Sequence, residues 1–534
     1  MVTRIRSGAV DGIDGFGVTV EVDAGRGLPS FQIVGLPTAT VRESRERVLA
    51  ALRNSGLGAP AGRVTVNLAP ADVRKEGAAF DLAIALGVAA AQAGAGPRER
   101  DGAVYLGELS LGGALRPVRG LLAIVLAAAR RGERRFVVPA AQAWEARLVA
   151  GTQVVGAATL TEVFAWWRDG VIPPDQQYGA RNSARESERA RLVEGGKTGE
   201  ARAFLGLAGQ DDARRAAVIV AAGVHNLLLV GPPGSGKTRL ARALRGLLPD
   251  LDAQEALEVT RIHSAAGTLR GNRLLRRRPL RAPHHTVTRA GLIGGGSGLR
   301  PGEVTLAHLG VLFLDELSEF APAVLDALRE PLEEGHVAVA RGPGARRFPA
   351  RFQLVAATNP CRCGWLGSSK HVCTCSPEQI ARHRTRWSGP LLDRIDLFVE
   401  MGEPAVGLFA GGEPPAHGRT EGENGANWLE LRDSVARARQ LLAARLPPNA
   451  DRILTPRAFV AAAGLSASAS EYLEEARVRL ALSVRGALRG ARVATTIAAL
   501  ENRTVTERAD VAQALRYRRE ALPGWGRAET PLSI

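Results

Sequence analysis

Residues 226–238 read Asn-Leu-Leu-Leu-Val-Gly-Pro-Pro-Gly-Ser-Gly-Lys-Thr, and the architecture of the chain follows from this segment. The almost wholly apolar run Asn226–Val230 is typical of a buried parallel strand. A glycine-rich loop follows it without a gap, and an amphipathic helix is predicted over Arg239–Leu248. A strand, such a loop and a helix in this order are the context that a phosphate-binding loop requires. The sequence therefore predicts an α/β fold built around a nucleotide site.

The residue types of this loop match the chemistry of phosphate binding. Its backbone N–H groups can curl round phosphates at a helix N-terminus. We expect Lys237 to reach the β- and γ-phosphates of ATP, and the Thr238 hydroxyl to bind Mg²⁺. A chance match is the alternative, but lysine is rare here, at four residues, whereas arginine is common. The predicted loop comprises Gly231, Pro232, Pro233, Gly234, Ser235, Gly236, Lys237 and Thr238.

Two later apolar strands also end in polar residues. Val311–Leu314 ends in Asp315 and Glu316, and Phe352–Ala357 ends in Thr358-Asn359. Asp315 would hold the Mg²⁺ shell, Glu316 would polarise the attacking water, and Asn359 would contact the γ-phosphate. A strand followed by a helix cap, and a turn-forming Asn before Pro360, are the alternative interpretations.

Length and charge bound the class of protein. A chain of 534 residues is long enough for about three or four domains. Its formal net charge of +16 favours a polyanionic partner such as nucleic acid. The alternative is a coding bias toward arginine, with dispersed surface charge. We expect no membrane span and no secretory signal, and therefore a cytoplasmic protein.

Composition divides the chain into five segments. We expect an α/β domain over residues 1–168, with helices at Val41–Asn54, Phe80–Ala93 and Leu121–Arg131. A polar, charged linker is predicted over residues 169–200, because it has almost nothing to bury. The nucleotide domain follows over residues 201–402. A Pro/Gly-rich linker over 403–427 then leads into a helical domain over 428–534.

All the cysteines lie in one short segment, as Cys-x-Cys twice. Cys361, Cys363, Cys373 and Cys375 can wrap four thiolates round Zn²⁺ in a tetrahedron. The one-residue spacing is tighter than the usual two-residue knuckle. The site has no obvious open position, which favours a structural role. Four reduced thiols in a loop are the alternative, and the neighbouring His371 is interpreted as a bystander.

Three motifs in this order identify an AAA+ ATPase, and other stretches narrow the resemblance. Residues 281–288 read Arg-Ala-Pro-His-His-Thr-Val-Thr, residues 294–297 read Gly-Gly-Gly-Ser, and residues 300–317 run into the Val311–Leu314 strand. Together with Asn359-Pro-Cys-Arg-Cys-Gly they resemble the ComM/YifB family of magnesium-chelatase-like proteins. The resemblance covers nearly the whole chain.

This resemblance implies roles for further residues. Gly209 and Gln210 match the segment that touches the adenine, and Asn359 matches sensor 1. Arg394 matches the arginine finger, which acts on a neighbour's ATP, and Arg485 matches sensor 2 on a helical lid. For each arginine the alternative is a surface ion pair. A finger completes a site across a subunit boundary, so the expected active form is a ring, most simply a hexamer.

The first domain resembles the Lon-protease-like, ribosomal-S5-related domain of the same family, on the stretch Gly107–Gly120. Lon-type peptidases use a Ser–Lys pair. Ala79 stands where the nucleophilic Ser is expected, and Leu122 where the Lys is expected. Because neither a nucleophile nor a base remains, we expect this domain to be catalytically inert.

Two insertions flank the Asp315 strand, at His284–Gly298 and Val337–Phe352. The second is predicted to be a β-hairpin with a basic tip, Arg346-Arg347. The resemblance implies that such loops face a central pore and bind DNA phosphates without reading sequence. His284, His285, Arg346 and Arg347 are thus candidate DNA contacts. The alternative interpretation of the hairpin is a solvated turn. The alternative for the two histidines is that they form hydrogen bonds within their own loop.

The expected activity is that of an ATP-driven, ring-forming DNA translocase or helicase, promoting branch migration in recombination or natural transformation. Two alternatives stay open. One is a motor like the magnesium chelatase ATPase subunit, which would remodel a protein partner without DNA. The other is a Lon-like protease, against which Ala79 and Leu122 argue.

Overall fold

The computed structural model describes residues 2–73, 75–94, 102–171, 199–207, 209–296, 299–341, 344–387, 389–403, 421–518 and 520. Most of the two predicted linkers, at 172–198 and 404–420, lies outside the described residues, as does the end of the first insertion at Ser297–Gly298. Over the described part of the chain, none of the helices has the length and apolarity to cross a membrane.

Strands and helices alternate through most of the described chain, which confirms the α/β class. The strands are β1 (Val2–Asp11), β2 (Asp14–Gly25), β3 (Ser30–Val34), β4 (Arg63–Ala69), β5 (Val104–Tyr105), β6 (Glu108–Leu109), β7 (Leu115–Arg116), β8 (Arg135–Pro139), β9 (Gln153–Ala157), β10 (Leu227–Val230), β11 (Leu280–Arg281), β12 (Gly294–Gly295), β13 (Arg300–Pro301), β14 (Val311–Leu314), β15 (His336–Arg341), β16 (Gly344–Pro349), β17 (Gln353–Thr358) and β18 (Leu397–Glu400).

The helices fall into three groups along the chain. Those of the first domain are α1 (Ala39–Asn54), α2 (Asp81–Gln92), α3 (Leu121–Arg130), α4 (Ala143–Arg147) and α5 (Leu160–Asp169). Those of the nucleotide domain are α6 (Asp211–Gly223), α7 (Lys237–Leu247), α8 (Ala253–Ala266), α9 (Arg289–Ile293), α10 (Glu303–Leu306), α11 (Pro322–Asp326), α12 (Arg329–Glu334), α13 (Pro377–Thr385) and α14 (Gly389–Leu392). The last group is α15 (Glu421–Arg445), α16 (Ala450–Ile453), α17 (Pro456–Ala463), α18 (Ala467–Arg479), α19 (Val484–Leu500) and α20 (Arg508–Arg516).

The first domain is a mixed sheet covered by helices. Its strand order is β3-β4-β2-β1-β5-β8-β9, with an antiparallel β1–β2 hairpin near its centre. Helix α2 is buried along almost its whole length because its residues are nearly all apolar. Ala79 and Leu122, at the two Lon-like positions, belong to one apolar cluster, against which Leu257 of helix α8 also packs.

The nucleotide domain is built on a five-stranded parallel sheet of order β11-β14-β17-β10-β18. Strands β10, β14 and β17 are completely buried, as their uninterrupted apolar sequences require in a sheet covered on both faces. In a parallel sheet all carboxyl ends share one edge. The residues that follow β10, β14 and β17 are therefore brought together, and so are the residues that precede these strands at the other edge.

The β1–β2 turn of the first domain reaches into the nucleotide domain. Ile13 at its tip is 2% exposed and packs in a core cluster that includes Phe348 of β16. Asp14 pairs with Arg261 of α8 at 2.7 Å, and the buried Glu145 accepts a 2.7 Å hydrogen bond from Ser264 of the same helix. Apolar contact and polar bonds thus join the two domains along α8 and β16.

Buried charges join the helical region to the nucleotide domain. Arg492 of α19 pairs with Asp396, just before β18, at 3.0 Å, and with Asp451 of α16 at 3.1 Å. It also bonds the ring of the fully buried His225 at 3.1 Å. This network lies at the amino-terminal edge of the parallel sheet, because Asp396 accepts from the backbone N–H of Asn226 immediately before β10.

Candidate nucleotide-binding site

The carboxyl edge of the parallel sheet gathers the three motifs. The Thr238 hydroxyl donates to Asp315 at 2.8 Å, so the two expected Mg²⁺ ligands are already in contact. The Lys237 ammonium lies 3.3 Å from the Asn359 side-chain oxygen. One phosphate-binding loop, one acidic strand end and one amide therefore surround a common volume, as a site for a metal-bound triphosphate needs.

Local backbone geometry explains the shape of the loop. Gly236 adopts φ +94° at the N-terminus of helix α7, a conformation that favours glycine. Helix α7 begins at Lys237, two residues before the predicted start, because the loop runs directly into it. The first N–H groups of the helix have no partner within it and are free for an anion.

The charge of Lys237 depends on its surroundings. Its side chain is folded back on the loop, donating to the carbonyls of Gly231 at 2.7 Å and Pro232 at 2.8 Å. Burial lowers the pKa of Lys237 to about 8, although the Asp315 carboxylate opposes the shift. Phosphate oxygens would compete for this ammonium with the two neutral carbonyls.

Glu316 lies beside the first insertion. It adopts φ +52° after β14 and is exposed, and its carboxylate lies 3.6 Å from the His285 ring nitrogen. His284 stacks on His285, with ring centroids 4.0 Å apart. The sequence assigned both histidines to a DNA-facing loop, and the structure brings His285 to the predicted water-polarising carboxylate. Adjacent strands explain this, because the insertion starts at the end of β11, next to β14.

The predicted adenine segment also meets this edge. Gln210 donates to the Gly402 carbonyl after β18 at 2.8 Å. Leu207 packs closely on Gly236 of the loop. Gly209, between them, has φ +73°, so the chain turns sharply as it passes the phosphate-binding loop.

Arg394 and Arg485 lie at the opposite edge. Arg394 comes just before β18, and its carbonyl accepts from the Asn226 side chain at 2.8 Å, just before β10. The four residues of β10 put that edge roughly 13 Å from the phosphate-binding loop. Arg394 pairs with Glu333 and donates to the Pro390 carbonyl. Neither arginine therefore reaches the nucleotide loop of its own chain.

A cavity of about 700 Å³ opens at this amino-terminal edge. Arginines from the core and from the helical region dominate its charged lining, and burial together with these neighbours lowers the pKa of Arg394. The lining arginines are Arg278, Arg351, Arg394, Arg439, Arg452, Arg485, Arg489 and Arg492. Sequence reasoning missed Glu333, the partner of Arg394, because the two are 61 positions apart with no motif between them.

Comparisons with known proteins identify the family to which the chain belongs. The family described as magnesium chelatase, subunit ChlI, matches residues 204–407. Its related models, described as subunit ChlI of Mg-chelatase and as subunit ChlI C-terminal, match residues 20–142 and 427–518. Competence protein ComM of Haemophilus influenzae is 38% identical over 502 residues, 94% of each chain. Protein YifB of Escherichia coli is 37% identical over 515 residues, 96% of each chain. This chain belongs to the ComM/YifB family.

A further relative, an uncharacterized protein of Mycobacterium tuberculosis, is 42% identical over 525 residues, covering 96% of this chain and 98% of its own length. Membership of the magnesium-chelatase-like ComM/YifB family makes the chain an AAA+ ATPase, which uses a nucleotide and Mg²⁺. The geometry at the carboxyl edge of the sheet agrees with that activity.

The four cysteines of this ComM/YifB ATPase converge after β17. Their Sγ atoms all lie within 4.8 Å of one another, and Cys361 is 3.3 Å from Cys363 and 3.7 Å from Cys373. Zn–S bonds of about 2.3 Å in a tetrahedron need sulfurs about 3.8 Å apart. All four are free thiols, since these separations are far longer than the S–S bond of about 2.05 Å. Although burial raises it, backbone N–H groups bring the pKa of Cys363 down to about 6, which favours a thiolate ligand.

The second insertion forms the predicted hairpin, β15–β16, in antiparallel register. The prediction of a basic tip is wrong, because Arg346 and Arg347 lie along β16 opposite Val339 and Ala338, whereas the hairpin closes between Arg341 and Gly344. Its two predicted DNA contacts differ in their surroundings. Arg346 donates to Asp11 of the β1–β2 turn at 2.8 Å, whereas Arg347, on the neighbouring position, is exposed. The structure thus connects one of the two basic residues to the first domain. Sequence patterns gave no signal for Asp11, which lies 335 positions away.

Proposed function

We propose that this chain is an ATP-driven, ring-forming DNA translocase that promotes branch migration in recombination or natural transformation. One observation carries the proposal. The insertion that we assign to DNA meets Glu316 directly, through His285 at 3.6 Å. A nucleic acid that moves this insertion would change the environment of the carboxylate that polarises water, and so couple DNA to hydrolysis.

The separation of the site's parts supports a ring. The phosphate-binding loop lies at one edge of the sheet and Arg394 at the other, where it cannot serve its own chain. A head-to-tail contact between subunits would bring one edge against the other, and such contacts form a ring when the rotation between subunits closes. Arg485 shares the cavity of Arg394, so we assign it to the neighbour's ATP as well. Six subunits are the proposed number.

The net charge and the names of related proteins support DNA as the partner. The net charge of +16 suits a polyanion, and the exposed Arg347 would bind phosphates without reading bases. The relative from Haemophilus influenzae is called a competence protein, which agrees with a role in DNA uptake. The proposed cofactors are ATP and Mg²⁺, with a structural Zn²⁺ on the four cysteines.

Measuring ATPase activity with and without single-stranded or branched DNA tests the DNA partner. We expect DNA to stimulate hydrolysis, and its binding to weaken steeply as salt rises. No stimulation together with no salt-sensitive binding would overturn the proposal and favour a chelatase-like motor acting on a protein.

Sedimentation of a Glu316→Gln variant tests the ring. The variant still binds ATP through its phosphate-binding loop, but the amide polarises water poorly, so ATP stays bound and the ring persists. Wild-type protein without nucleotide is the control. A variant that stays monomeric with MgATP would contradict the assembly.

A further inference from the structure

The cysteine loop, residues 361–375, lies directly on the phosphate-binding loop. Gly364 is the contact point. A Cβ atom on Gly364 would lie 2.9 Å from Cδ and 3.1 Å from Cγ of Pro233, and 4.0 Å from the Asn359 side chain. There is no room for a side chain between the two loops, so the backbone of one packs against the ring of the other.

The cysteine loop is anchored beside the nucleotide site at its start and near its middle. At its start, Cys361 is completely buried two residues after Asn359, whose carbonyl is bonded to the His383 ring at 3.1 Å. Near its middle, Ser369 donates to Glu403 at 3.3 Å, and Lys370 lies 3.8 Å from the same carboxylate. Glu403 directly follows Gly402, the partner of Gln210 in the predicted adenine segment.

The cysteine loop contains no regular secondary structure in its described residues. Between β17 and α13 the described backbone forms only turns and bends. Ordering so many residues costs conformational entropy that their few apolar side chains do not offset. A metal that joins the first Cys-x-Cys to the second supplies the missing constraint, because structural zinc sites contribute their binding energy to folding.

We propose that the cysteine loop, closed by Zn²⁺, is a positioning element of the ATP site. The metal holds Gly364 against Pro233 and keeps Asn359 in reach of the γ-phosphate. The loop itself does not touch the reacting atoms, and acts through these two residues. This inference rests on the ATPase part of the proposed function and is independent of DNA.

A pair of glycine variants tests the contact. Gly364 and Gly367 have almost the same φ, +86° and +80°, but nothing lies within 4 Å of a Cβ atom on Gly367. Alanine therefore strains the backbone equally at both positions, and overpacks only at Gly364. We expect Gly364→Ala to bind a fluorescent ATP analogue roughly tenfold more weakly with its zinc content unchanged, and Gly367→Ala to bind it like the wild type.

Metal removal tests the proposed role of Zn²⁺ in holding the cysteine loop. Cys373 and Cys375 are only partly buried, so replacing both with serine leaves the core intact. We expect elemental analysis to find one zinc per chain in the wild type and none in this variant, and we expect the variant to bind the ATP analogue as weakly as Gly364→Ala. His371→Ala, in the same loop, is the control and keeps both zinc and affinity.

Three results would overturn the inference. They are wild-type protein without zinc, equal weakening by both glycine variants, and full nucleotide affinity in the serine variant. None of these measurements uses DNA. The inference about the cysteine loop can therefore hold even if DNA does not stimulate the ATPase, and DNA can stimulate the ATPase even if this inference fails.

Discussion

Lys237 is charged or neutral according to what surrounds it. Its ammonium contacts neutral carbonyls in a buried position, and burial lowers its pKa to about 8. Triphosphate oxygens favour the ammonium form, so the pKa of Lys237 rises when ATP binds. In the pH range between the two values, ATP binding must therefore take up a proton.

We predict that ATP affinity falls as pH rises above about 8, by up to about tenfold per pH unit. Nucleotide titrations between pH 7 and 9.5 measure this. The matched control is Lys237→Arg, whose guanidinium stays charged over the whole range, so its affinity should be flat. Equal slopes in the two proteins would show that another group titrates.

His285 is placed to restrain Glu316. An imidazole 3.6 Å from the carboxylate competes with water for it, and His284 stacks on that imidazole. We predict that His285→Ala raises ATP hydrolysis in the absence of DNA, several-fold, and shrinks the stimulation by DNA. Steady-state ATPase assays with and without DNA measure both.

The neighbouring substitution His284→Ala is the control, because it removes the stack but leaves the residue that contacts Glu316. We expect it to change basal hydrolysis much less. If His285→Ala instead abolished hydrolysis, His285 would orient Glu316 for catalysis and would not restrain it.

At the scale of elements, the β1–β2 turn and the β15–β16 hairpin form one unit. Ile13 is buried against Phe348, and Asp11 pairs with Arg346 beside it. The Arg346 side chain is 56% exposed and that of Asp11 is 28% exposed, so the ion pair contributes little to stability. It does, however, neutralise one of the two basic residues that we assign to DNA.

We predict that Asp11→Asn tightens DNA binding, because it releases the charge of Arg346. The slope of log K against log salt should become steeper by about 0.9, the value for one further phosphate contact. Fluorescence anisotropy over a salt series measures it. Asp14→Asn is the control, since it removes an ion pair of the same turn with Arg261 of α8, away from the hairpin. An unchanged slope in Asp11→Asn would mean that Arg346 does not contact DNA.

At the scale of the whole molecule, the nucleotide loop lies at the carboxyl edge of the parallel sheet and Arg394 lies at the amino-terminal edge. Each edge therefore carries one part of the proposed shared site. Arg394 is held by Glu333 within its own chain, and the arginine-rich cavity lies open around it. The cavity joins core and helical region, so a neighbour's nucleotide placed there would contact both. ATP would thereby stabilise a particular arrangement of two chains.

Mixing two inactive variants tests this arrangement. Arg394→Ala keeps its nucleotide loop but lacks the finger, and Glu316→Gln keeps the finger but does not hydrolyse. In equal mixtures about a quarter of the contacts combine an intact loop with an intact finger, if subunits join head to tail at random. We predict that ATPase activity returns to about that fraction of wild type. The unmixed variants are the controls, and no recovery would place Arg394 outside any shared site.

The sequence by itself determined the fold class and the carboxyl edge of the nucleotide site. The phosphate-binding loop is local, because strand, loop and helix are contiguous from Leu227 to Leu247. Asp315 and Asn359 could be added to it because parallel strands end at one edge, whatever their order in the sheet. The resemblance to the ComM/YifB family was likewise readable from contiguous motifs.

Only the tertiary structure decided which of these residues meet others far along the chain. His285 on Glu316, Asp11 on Arg346, Glu333 on Arg394 and Gly364 on Pro233 are all contacts of this kind. They join loops, strands and one helix end, and no periodic pattern of apolar residues records such a partner. Packing within the nucleotide domain brings three of these pairs together, and packing between domains brings Asp11 to Arg346; both depend on the shapes of whole surfaces.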